Sequence, residues 1–267
     1  MAVPALVALV VPLCAATTAA ADDLTTDEKL AFLRQARIVA SRAIGKGTTG
    51  ALRLTLTDGT ITHDAAFQRV NLSPRPSQAR PTGEPAFVDA FRYNIAAWEL
   101  ARLLGLDGMT PPTVARTVRG QPGALSWWID DVLMDEAERE RTDTTPPNGL
   151  ALELSRQRQR MLVFGELVHD TDRNKGNVLY TTDWQLVMLD FTRAFRTTPV
   201  LRAPAVLTAI DCDLLERLRA LDRAAVRRAV GPHLTVYEAD AILKRRDLIV
   251  ARFDGLLATR GTAGILF

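Results

Sequence analysis

The amino-acid sequence predicts an α+β fold in two lobes, with a β-rich N-terminal lobe containing one helix and a mostly helical C-terminal lobe. Three observations predict it. Alternating apolar residues and tight turns mark hairpins before residue 130. Apolar residues at helical spacing prevail after residue 150. The 267 residues, 47% of them hydrophobic, suffice for two lobes but not for three domains.

Residues 1–21 have the pattern of a secretory signal peptide. An apolar run over residues 1–14 is followed by the small residues Ala19-Ala20-Ala21, which are typical of a cleavage site. The run is too short to cross a membrane, and a buried strand or helix is the alternative interpretation. We therefore expect a periplasmic or secreted protein with no transmembrane segment in the mature chain. Cleavage would leave Cys212 as its one cysteine, which excludes an internal disulfide.

Residues 22–50 are predicted to form an N-terminal helix and a glycine-rich connector. Thr25 and Glu28 have the spacing of a capping box, and the apolar residues after them predict a helix to about Ala43. The segment Gly45-Lys46-Gly47-Thr48-Thr49-Gly50 matches a phosphate-loop pattern by its letters. Because a helix is predicted before it and a strand after it, we interpret this segment as a flexible connector.

The predicted N-terminal lobe covers residues 51–130. Residues 52–56 alternate in polarity, and a turn at Asp58-Gly59 joins them to a second strand over 60–70. Apolar residues at helical spacing predict the helix of this lobe, which Gly105 ends: Phe87, Phe91, Ile95 and Trp98. The other predicted elements are a loop over 72–85 and a hairpin with strands over 113–118 and 124–129.

The predicted C-terminal lobe covers residues 131–267. The stretch 130–148 is acidic and then rich in Thr and Pro, which indicates a hinge and connector. The remaining pattern predicts a long helix over 150–168, a short hairpin with strands over 178–180 and 186–189, and two helices over about 211–230 and 236–256.

The densest polar cluster, His169-Asp-Thr-Asp-Arg-Asn-Lys-Gly-Asn177, joins the long predicted helix to a strand. Asp190 follows 13 residues after Asn177, at the end of the next apolar strand. A phosphoryl-transfer site needs a carboxylate near the attacking hydroxyl, together with an Asn and a second Asp that hold Mg²⁺ on the phosphates. Asp172, Asn177 and Asp190 supply that set of side chains.

Two other interpretations of the polar cluster are open. Asp170, Asp172 and Asn174 fall at the first, third and fifth positions of a calcium loop, but the Gly comes one residue late and the twelfth position is Thr181. A purely structural turn, in which Asp and Asn side chains cap their own backbone, is the other alternative.

The motifs Asp172-Arg-Asn-Lys-Gly-Asn177 and Leu189-Asp190-Phe191 resemble the catalytic and metal-binding loops of the atypical protein-kinase-like superfamily. That superfamily includes phosphoinositide lipid kinases, HipA-type kinases and secretory-pathway kinases. The resemblance covers residues 53–196 approximately and implies a two-lobed kinase-like fold. It also implies ATP as co-substrate with Mg²⁺ or Mn²⁺, Asp172 as the catalytic base, and Asn177 and Asp190 as the metal ligands.

The resemblance also assigns residues beside the nucleotide, and two of them depart from the family pattern. Residues 127–132 correspond to the hinge beside the adenine, with Trp128 and Asp130 as nucleotide-binding candidates. Gln68 occupies the position of the strand Lys that usually binds the nucleotide phosphates, next to Arg69. Asn94 occupies the position of the helix Glu that usually holds that Lys. No lysine lies between Lys46 and Lys175, so the candidates to replace the strand Lys are Lys46, Arg53 and Arg69.

Two functions follow from these observations. One is an exported phosphotransferase with nucleotide as partner and a protein, lipid or small molecule as acceptor. The alternative is a pseudokinase that senses nucleotide or binds protein without catalysis, which the missing strand Lys favours. The chain carries 33 basic and 31 acidic residues, a net charge of +2, which gives no electrostatic case for binding nucleic acid.

Overall fold

A computed structural model describes residue 21 and residues 24–45, 50–72 and 88–267. Three predictions therefore fall wholly or mostly outside the described residues: the signal peptide, the middle of the glycine-rich segment with Lys46, and the loop predicted over 72–85. Phe87 of the predicted helix also lies outside them.

The described residues form helices and strands in the following chain order. The helices are α1 (Thr26–Gln35), α2 (Arg92–Leu103), α3 (Glu136–Arg141), α4 (Ala151–Val168), α5 (Cys212–Ala220), α6 (Arg223–Val230) and α7 (Val236–Arg260). The strands are β1 (Arg37–Ala43), β2 (Leu52–Thr57), β3 (Thr62–Gln68), β4 (Asn71–Leu72), β5 (Asp89–Ala90), β6 (Thr113–Val118), β7 (Gln121–Trp127), β8 (Val132–Asp135), β9 (Val178–Thr181) and β10 (Leu186–Met188).

The N-terminal lobe is a five-stranded antiparallel sheet in the order β1-β2-β3-β7-β6. Alternation along β3 buries Ala65 and Phe67 in the apolar core under α1, and leaves Gln68 on the opposite face. The predicted turn between β2 and β3 is confirmed. Asp58 accepts hydrogen bonds from two following backbone N–H groups at 2.8 Å, and Gly59 adopts a φ of +99° that favours glycine.

The helix predicted from the capping box to Ala43 is wrong in its second half. The capping box is confirmed, since Thr25 Oγ1 accepts from Glu28 N and Glu28 accepts from Thr25 N. However, α1 ends at Gln35, and residues 37–43 form β1, an edge strand paired with β2. Ile38 and Val39 are β-branched and favour a strand. The glycine-rich segment therefore joins two antiparallel strands, and not a helix to a strand.

Two predictions in the C-terminal half also need correction. The supposed connector over 130–148 contains β8, which pairs with β9, and α3, which begins where Asp135 accepts a hydrogen bond from Glu138 N. The single helix predicted over 211–230 is two helices, α5 and α6. Asp222 caps the second of them by accepting from Ala225 N at 2.6 Å.

The C-terminal lobe packs α4, α5 and α6 around α7 and adds a three-stranded sheet in the order β10-β9-β8. One face of α2, including Ala97 and Leu100, is buried in the same apolar core as Phe164 of α4. Trp98 of α2 is instead buried in the core of the N-terminal sheet. Helix α2 therefore belongs to both cores and holds the two lobes together. None of the described helices is long and apolar enough to span a membrane.

Candidate catalytic site

The polar loop after α4 is held by its own buried carboxylate. His169 ends the helix in the left-handed conformation, with a φ of +50°. Asp170, which is 2% exposed, accepts a hydrogen bond from Asp172 N at 3.1 Å. The second oxygen of Asp170 lies 2.5 Å from the guanidinium of Arg173. Asp170 therefore shapes the loop, while Asp172 projects from it with a side chain that is 39% exposed.

Arg173 fastens this loop to the end of strand β10. Its guanidinium donates to Asn177 O at 3.0 Å and to Leu189 O, and it lies 4.3 Å from the ring centroid of Phe191. Because these groups come before and after the β9–β10 hairpin, one arginine sets the position of the loop relative to the residue pair 190–191.

The same hairpin brings Asn177 beside Asp190. Leu189 N donates to Asn177 O at 2.9 Å, continuing the antiparallel ladder of β9 and β10. Asn177 Nδ2 in turn lies 3.4 Å from Asp172 O. Asp190 has a φ of +52°, a strained conformation for this residue, and its carboxylate accepts from Thr192 Oγ1 at 2.9 Å. These contacts bring together the backbone segments that carry Asp172, Asn177 and Asp190.

Arg193, which sequence reasoning missed, lies among these carboxylates. Its Nη1 is 3.1 Å from Asp172 Oδ2, and its Nε is 3.0 Å from Oδ2 of the buried Asp89. Burial alone would lower the pKa of Arg193, but the hydrogen bond to Asp89 and the charges of Asp172, Asp89 and Asp190 raise it. Arg193 follows Asp190 closely in the sequence, which is the one local signal that could have suggested it.

The N-terminal lobe contributes a pair of neutral amides. Asn94 Nδ2 donates to Gln68 Oε1, so α2 is linked to the last residue of β3. Asn94 Oδ1 accepts from Phe191 N at 2.7 Å. One side chain therefore connects the strand, the helix and the residue after Asp190. We call Gln68 and Asn94 the N-terminal wall, and the loop over 170–177 with Asp190 and Arg193 the C-terminal wall.

Solved structures share this two-lobed arrangement. The structure of hydra Fam20 with sugar matches with a TM-score of 0.66 and 16% identity, covering 89% of this chain and 90% of that one. The Golgi casein kinase matches with a TM-score of 0.62 and 14% identity, covering 90% of this chain and 77% of that one. The Helicobacter pylori proinflammatory kinase CtkA matches with a TM-score of 0.51 and 13% identity, covering 86% and 96%.

The chain has an atypical protein-kinase-like fold. The predicted two-lobed α+β kinase-like class is therefore confirmed. The Golgi casein kinase is also known with Mn/ADP bound, and that structure matches this chain with a TM-score of 0.62 at 13% identity. No protein-family model and no curated protein sequence matches this chain.

The segment that links the lobes of this kinase-like fold carries the predicted hinge residues. The guanidinium of Arg53 lies 4.0 Å from the ring centroid of Trp128 and also pairs with Asp64. Asp130, half exposed, lies 2.8 Å from the buried His63 Nε2. Both Trp128 and Asp130 thus sit between β7 and β8, where the chain passes from one lobe to the other, and their part in binding nucleotide stays a prediction.

Arg69 is not brought into the interlobe site. Its side chain is exposed and donates to Gln121 Oε1 at the start of β7. Gln68, one residue earlier, points to Asn94, and alternation along the chain turns neighbouring side chains to opposite faces. A phosphate-binding role for Arg69 therefore has no contact to support it.

The donor set of the site suits a hard divalent cation. The side chains of Asn177 and Asp190 offer amide and carboxylate oxygens, which Mg²⁺ and Mn²⁺ prefer. Within the described ranges, no group of three or more His, Cys, Asp or Glu side chains is placed to hold a metal ion together. Such an ion would therefore depend on these two residues and on phosphate oxygens of the substrate, as Mg²⁺ usually does in phosphoryl transfer.

Proposed function

We propose that this chain is a phosphotransferase that moves the γ-phosphoryl group of ATP to a hydroxyl acceptor, with Mg²⁺ or Mn²⁺. The observation that supports the proposal is the approach of the segments that carry Asp172, Asn177 and Asp190 in a kinase-like fold: Asn177 Nδ2 lies 3.4 Å from Asp172 O, and Leu189 N donates to Asn177 O. In the reaction, the acceptor oxygen forms a new bond to phosphorus and the bond to the β–γ bridging oxygen breaks. Asp172 takes the acceptor proton, and ADP leaves.

The roles of the metal ligands follow from their positions. Asn177 and Asp190 would hold the ion, which supplies neutralising charge to the phosphates. The left-handed backbone of Asp190 and its hydrogen bond from Thr192 aim its carboxylate. Arg173 keeps the two ligand-bearing segments in register, because it donates to carbonyl groups of both.

The corrected strand β1 adds support for nucleotide binding. Ile44 N donates to Ala51 O at 3.0 Å, so Gly45 and Gly50 stand at the ends of two paired strands. Protein kinases use a glycine-rich loop to cover the phosphates of ATP. Lys46, a candidate replacement for the strand Lys, belongs to this segment but lies outside the described residues.

Substitution of Asp172 tests the proposal. Asp172→Asn keeps the shape of the side chain and removes the base, so we expect ATP turnover to fall by about 10² to 10⁴-fold. Turnover is measured with Mn²⁺ and with Mg²⁺, together with phosphate incorporated into the protein itself. Asp213→Asn, at an exposed position in α5, is the matched control and should keep wild-type turnover. Unchanged turnover in Asp172→Asn would contradict the assignment of Asp172 as the base.

A pseudokinase is the second candidate, and the neutral pair of Gln68 and Asn94 favours it. Such a protein would bind nucleotide or a partner protein without turnover. Thermal unfolding with ATP or ADP and Mn²⁺ separates the two candidates, because a ligand at 100 times its Kd stabilises the fold by about 2.7 kcal/mol. Stabilisation with turnover supports the phosphotransferase. Stabilisation without turnover supports the pseudokinase, and no stabilisation at millimolar nucleotide contradicts both nucleotide-binding proposals.

We also propose that the protein is exported to the periplasm or secreted, on the strength of the apolar pattern over residues 1–21. Expression of the full-length chain and N-terminal sequencing of the recovered protein test this directly. A first residue at Asp22, with the protein in the periplasm or medium, supports export. An intact N-terminus in the cytoplasm contradicts it.

A further inference from the structure

Among the described residues, strand β3 does not offer the interlobe site the lysine that a kinase strand usually supplies. Transfer of a phosphoryl group spreads negative charge over three oxygens, and positively charged groups placed around them lower the barrier. At the end of β3, Gln68 is neutral, and its Oε1 accepts a hydrogen bond from Asn94 Nδ2. This inference rests on the phosphotransferase proposed above: with Gln68 in place of the strand Lys, another element, in addition to the segment that contains Lys46, can supply the positive charge.

Most basic side chains near the site are engaged with other groups. Arg53 pairs with Asp64, Arg69 donates to Gln121, Arg173 donates to Leu189 O and Asn177 O, and Lys175 pairs with Glu140. Each of these contacts engages the basic side chain with a group other than the Asp172 carboxylate. Among the described residues, Arg193 is the basic side chain that forms an ion pair with the Asp172 carboxylate.

The position of Arg193 fits contact with a transferring group. An acceptor hydroxyl that gives its proton to Asp172 lies about 2.6–3.2 Å from that carboxylate. The phosphorus it attacks lies about 3–3.5 Å further on. A guanidinium 3.1 Å from the same carboxylate oxygen is therefore within one side-chain rotation of the phosphoryl oxygens. We infer that Arg193 binds the γ-phosphoryl group during transfer and replaces, from the C-terminal wall, the charge missing from β3.

Asp89 is the residue that positions this arginine. Its side chain is 3% exposed, and its Oδ2 accepts from Arg193 Nε at 3.0 Å. The backbone reinforces the contact, since Ala90 N donates to Thr192 O at 2.9 Å. Because Nε is held by Asp89, the Nη atoms are directed toward Asp172 and the space in front of it. Asp89, in strand β5 before α2, thus orients the guanidinium of Arg193, which belongs to the C-terminal lobe.

The inference is tested by the turnover of Arg193 variants. Removal of an arginine that stabilises phosphoryl transfer costs about 10³-fold or more in kcat. We expect that loss in Arg193→Gln, with partial recovery in Arg193→Lys, which keeps the charge without the forked geometry. Affinity for ADP, which has no γ-phosphoryl group, should change less than about 3-fold. A kcat for Arg193→Gln within about 3-fold of wild type overturns the inference.

A double variant separates chemistry from folding. Arg193→Gln alone leaves the buried Asp89 without its cation, so loss of activity could follow from loss of structure. Asp89→Asn combined with Arg193→Gln replaces the ion pair by two amides. If the double variant regains thermal stability and stays inactive, Arg193 acts on the substrate. If it regains activity as well, the inference is wrong and the pair is structural.

Two further kcat measurements, on a matched control variant and on the wild type, are needed to interpret the loss in Arg193→Gln. Arg219→Gln also removes an arginine paired with two carboxylates, Glu216 and Asp254, but on the surface of α5. It should keep wild-type kcat. A wild type without turnover overturns the phosphotransferase proposal and this inference together. Turnover in the wild type that Arg193→Gln leaves unchanged overturns this inference alone.

Discussion

The two walls of the interlobe site meet beside Asp190, and each uses different chemistry there. The N-terminal wall uses the neutral amides of Gln68 and Asn94, and Asn94 accepts from Phe191 N. The C-terminal wall uses charged groups, with Arg173 below the segment and Arg193 between two carboxylates. The lobes are therefore coupled by hydrogen bonds on one side and by ion pairs on the other.

In a typical kinase, the strand Lys and the helix Glu perform two tasks together: they link the strand to the helix, and they neutralise phosphate. In this chain the two tasks fall to different residues. The amide pair keeps the strand and helix in contact without the cost of burying charges. It cannot neutralise phosphate, so that task passes to the metal ligands and to Arg193 in our proposal.

Removal of Arg173 should damage the C-terminal wall most. Arg173→Leu leaves the carboxylate of Asp170, which is 1% exposed, charged and unpaired. Breaking a buried pair in this way costs about 3–5 kcal/mol of the free energy of unfolding. Urea denaturation measures the loss. The exposed pair of Arg141 and Glu138 provides the control, and Arg141→Leu should change stability by less than about 0.5 kcal/mol.

Loss of the amide bridge should damage the N-terminal wall less. Asn94→Leu keeps the branched shape of the side chain but leaves Phe191 N–H and the Gln68 amide without their partner. We expect a loss of about 2 kcal/mol, since a buried polar group without a hydrogen bond costs about 1–3 kcal/mol. Asn94→Asp keeps the acceptor for Phe191 N and should lose less. Equal stability of Asn94→Leu and wild type would show that the bridge does not couple the walls.

Restoring the charged pair should strengthen nucleotide binding. Gln68→Lys with Asn94→Glu puts an ammonium where β3 faces the C-terminal wall, and charge-assisted hydrogen bonds to phosphate are stronger than neutral ones. We expect about a tenfold lower Kd for ADP with Mn²⁺, or about 1.4 kcal/mol, by calorimetry. Gln35→Lys, the same change at an exposed position in α1, should leave the Kd unaltered. An unchanged Kd in the double variant refutes the assignment of Gln68 to the phosphate position.

Acidification should weaken the C-terminal lobe through His169. Burial, and then the charges of Arg245, Arg202 and Arg196, lower the pKa of His169 from 6.5 to about 4. Between these values the unfolded chain binds more protons than the folded one, so stability falls as the pH decreases. From pH 7 to 5.5 this residue should cost about 1 kcal/mol.

The comparison of His169→Asn with wild type isolates that contribution. Asparagine tolerates the left-handed backbone at this position and does not titrate. The variant should lose less stability than wild type over the same pH range in thermal unfolding. The amide pair of the N-terminal wall has no titrating group, so Asn94→Leu should leave the slope of stability against pH unchanged. An identical slope in His169→Asn and wild type contradicts the lowered pKa.

Local patterns predicted much of this fold. The turn at Asp58-Gly59 and the alternation beside it define β2 and β3, since a turn residue and its neighbours carry their own hydrogen bonds. The helical spacing of apolar residues likewise predicted α2 and α4. Strand β1 was missed because it lies at the sheet edge with nearly all its residues exposed, so no alternation marks it.

In the candidate site, too, some features were predictable from local sequence and others were not. Asp172, Asn177 and Asp190 are close in sequence, and the spacing predicted the hairpin whose pairing brings residue 177 near residue 189. The contact between Asp89 and Arg193 joins residues 104 positions apart. No local pattern marks either residue as a partner of the other.

Short-range patterns were enough to predict the capping box of α1, the turn at Asp58-Gly59, the apolar faces of α2 and α4, and the hairpin between Asn177 and Asp190. Those features depend on residues that are close to one another in the chain. Three features appear only once the lobes are packed: α2 contributes to both cores, β1 completes the sheet, and Arg193 pairs with both Asp89 and Asp172. The physical reason is that edge pairing and ion pairs between lobes depend on how separately formed elements pack, and packing brings together residues that the sequence keeps far apart.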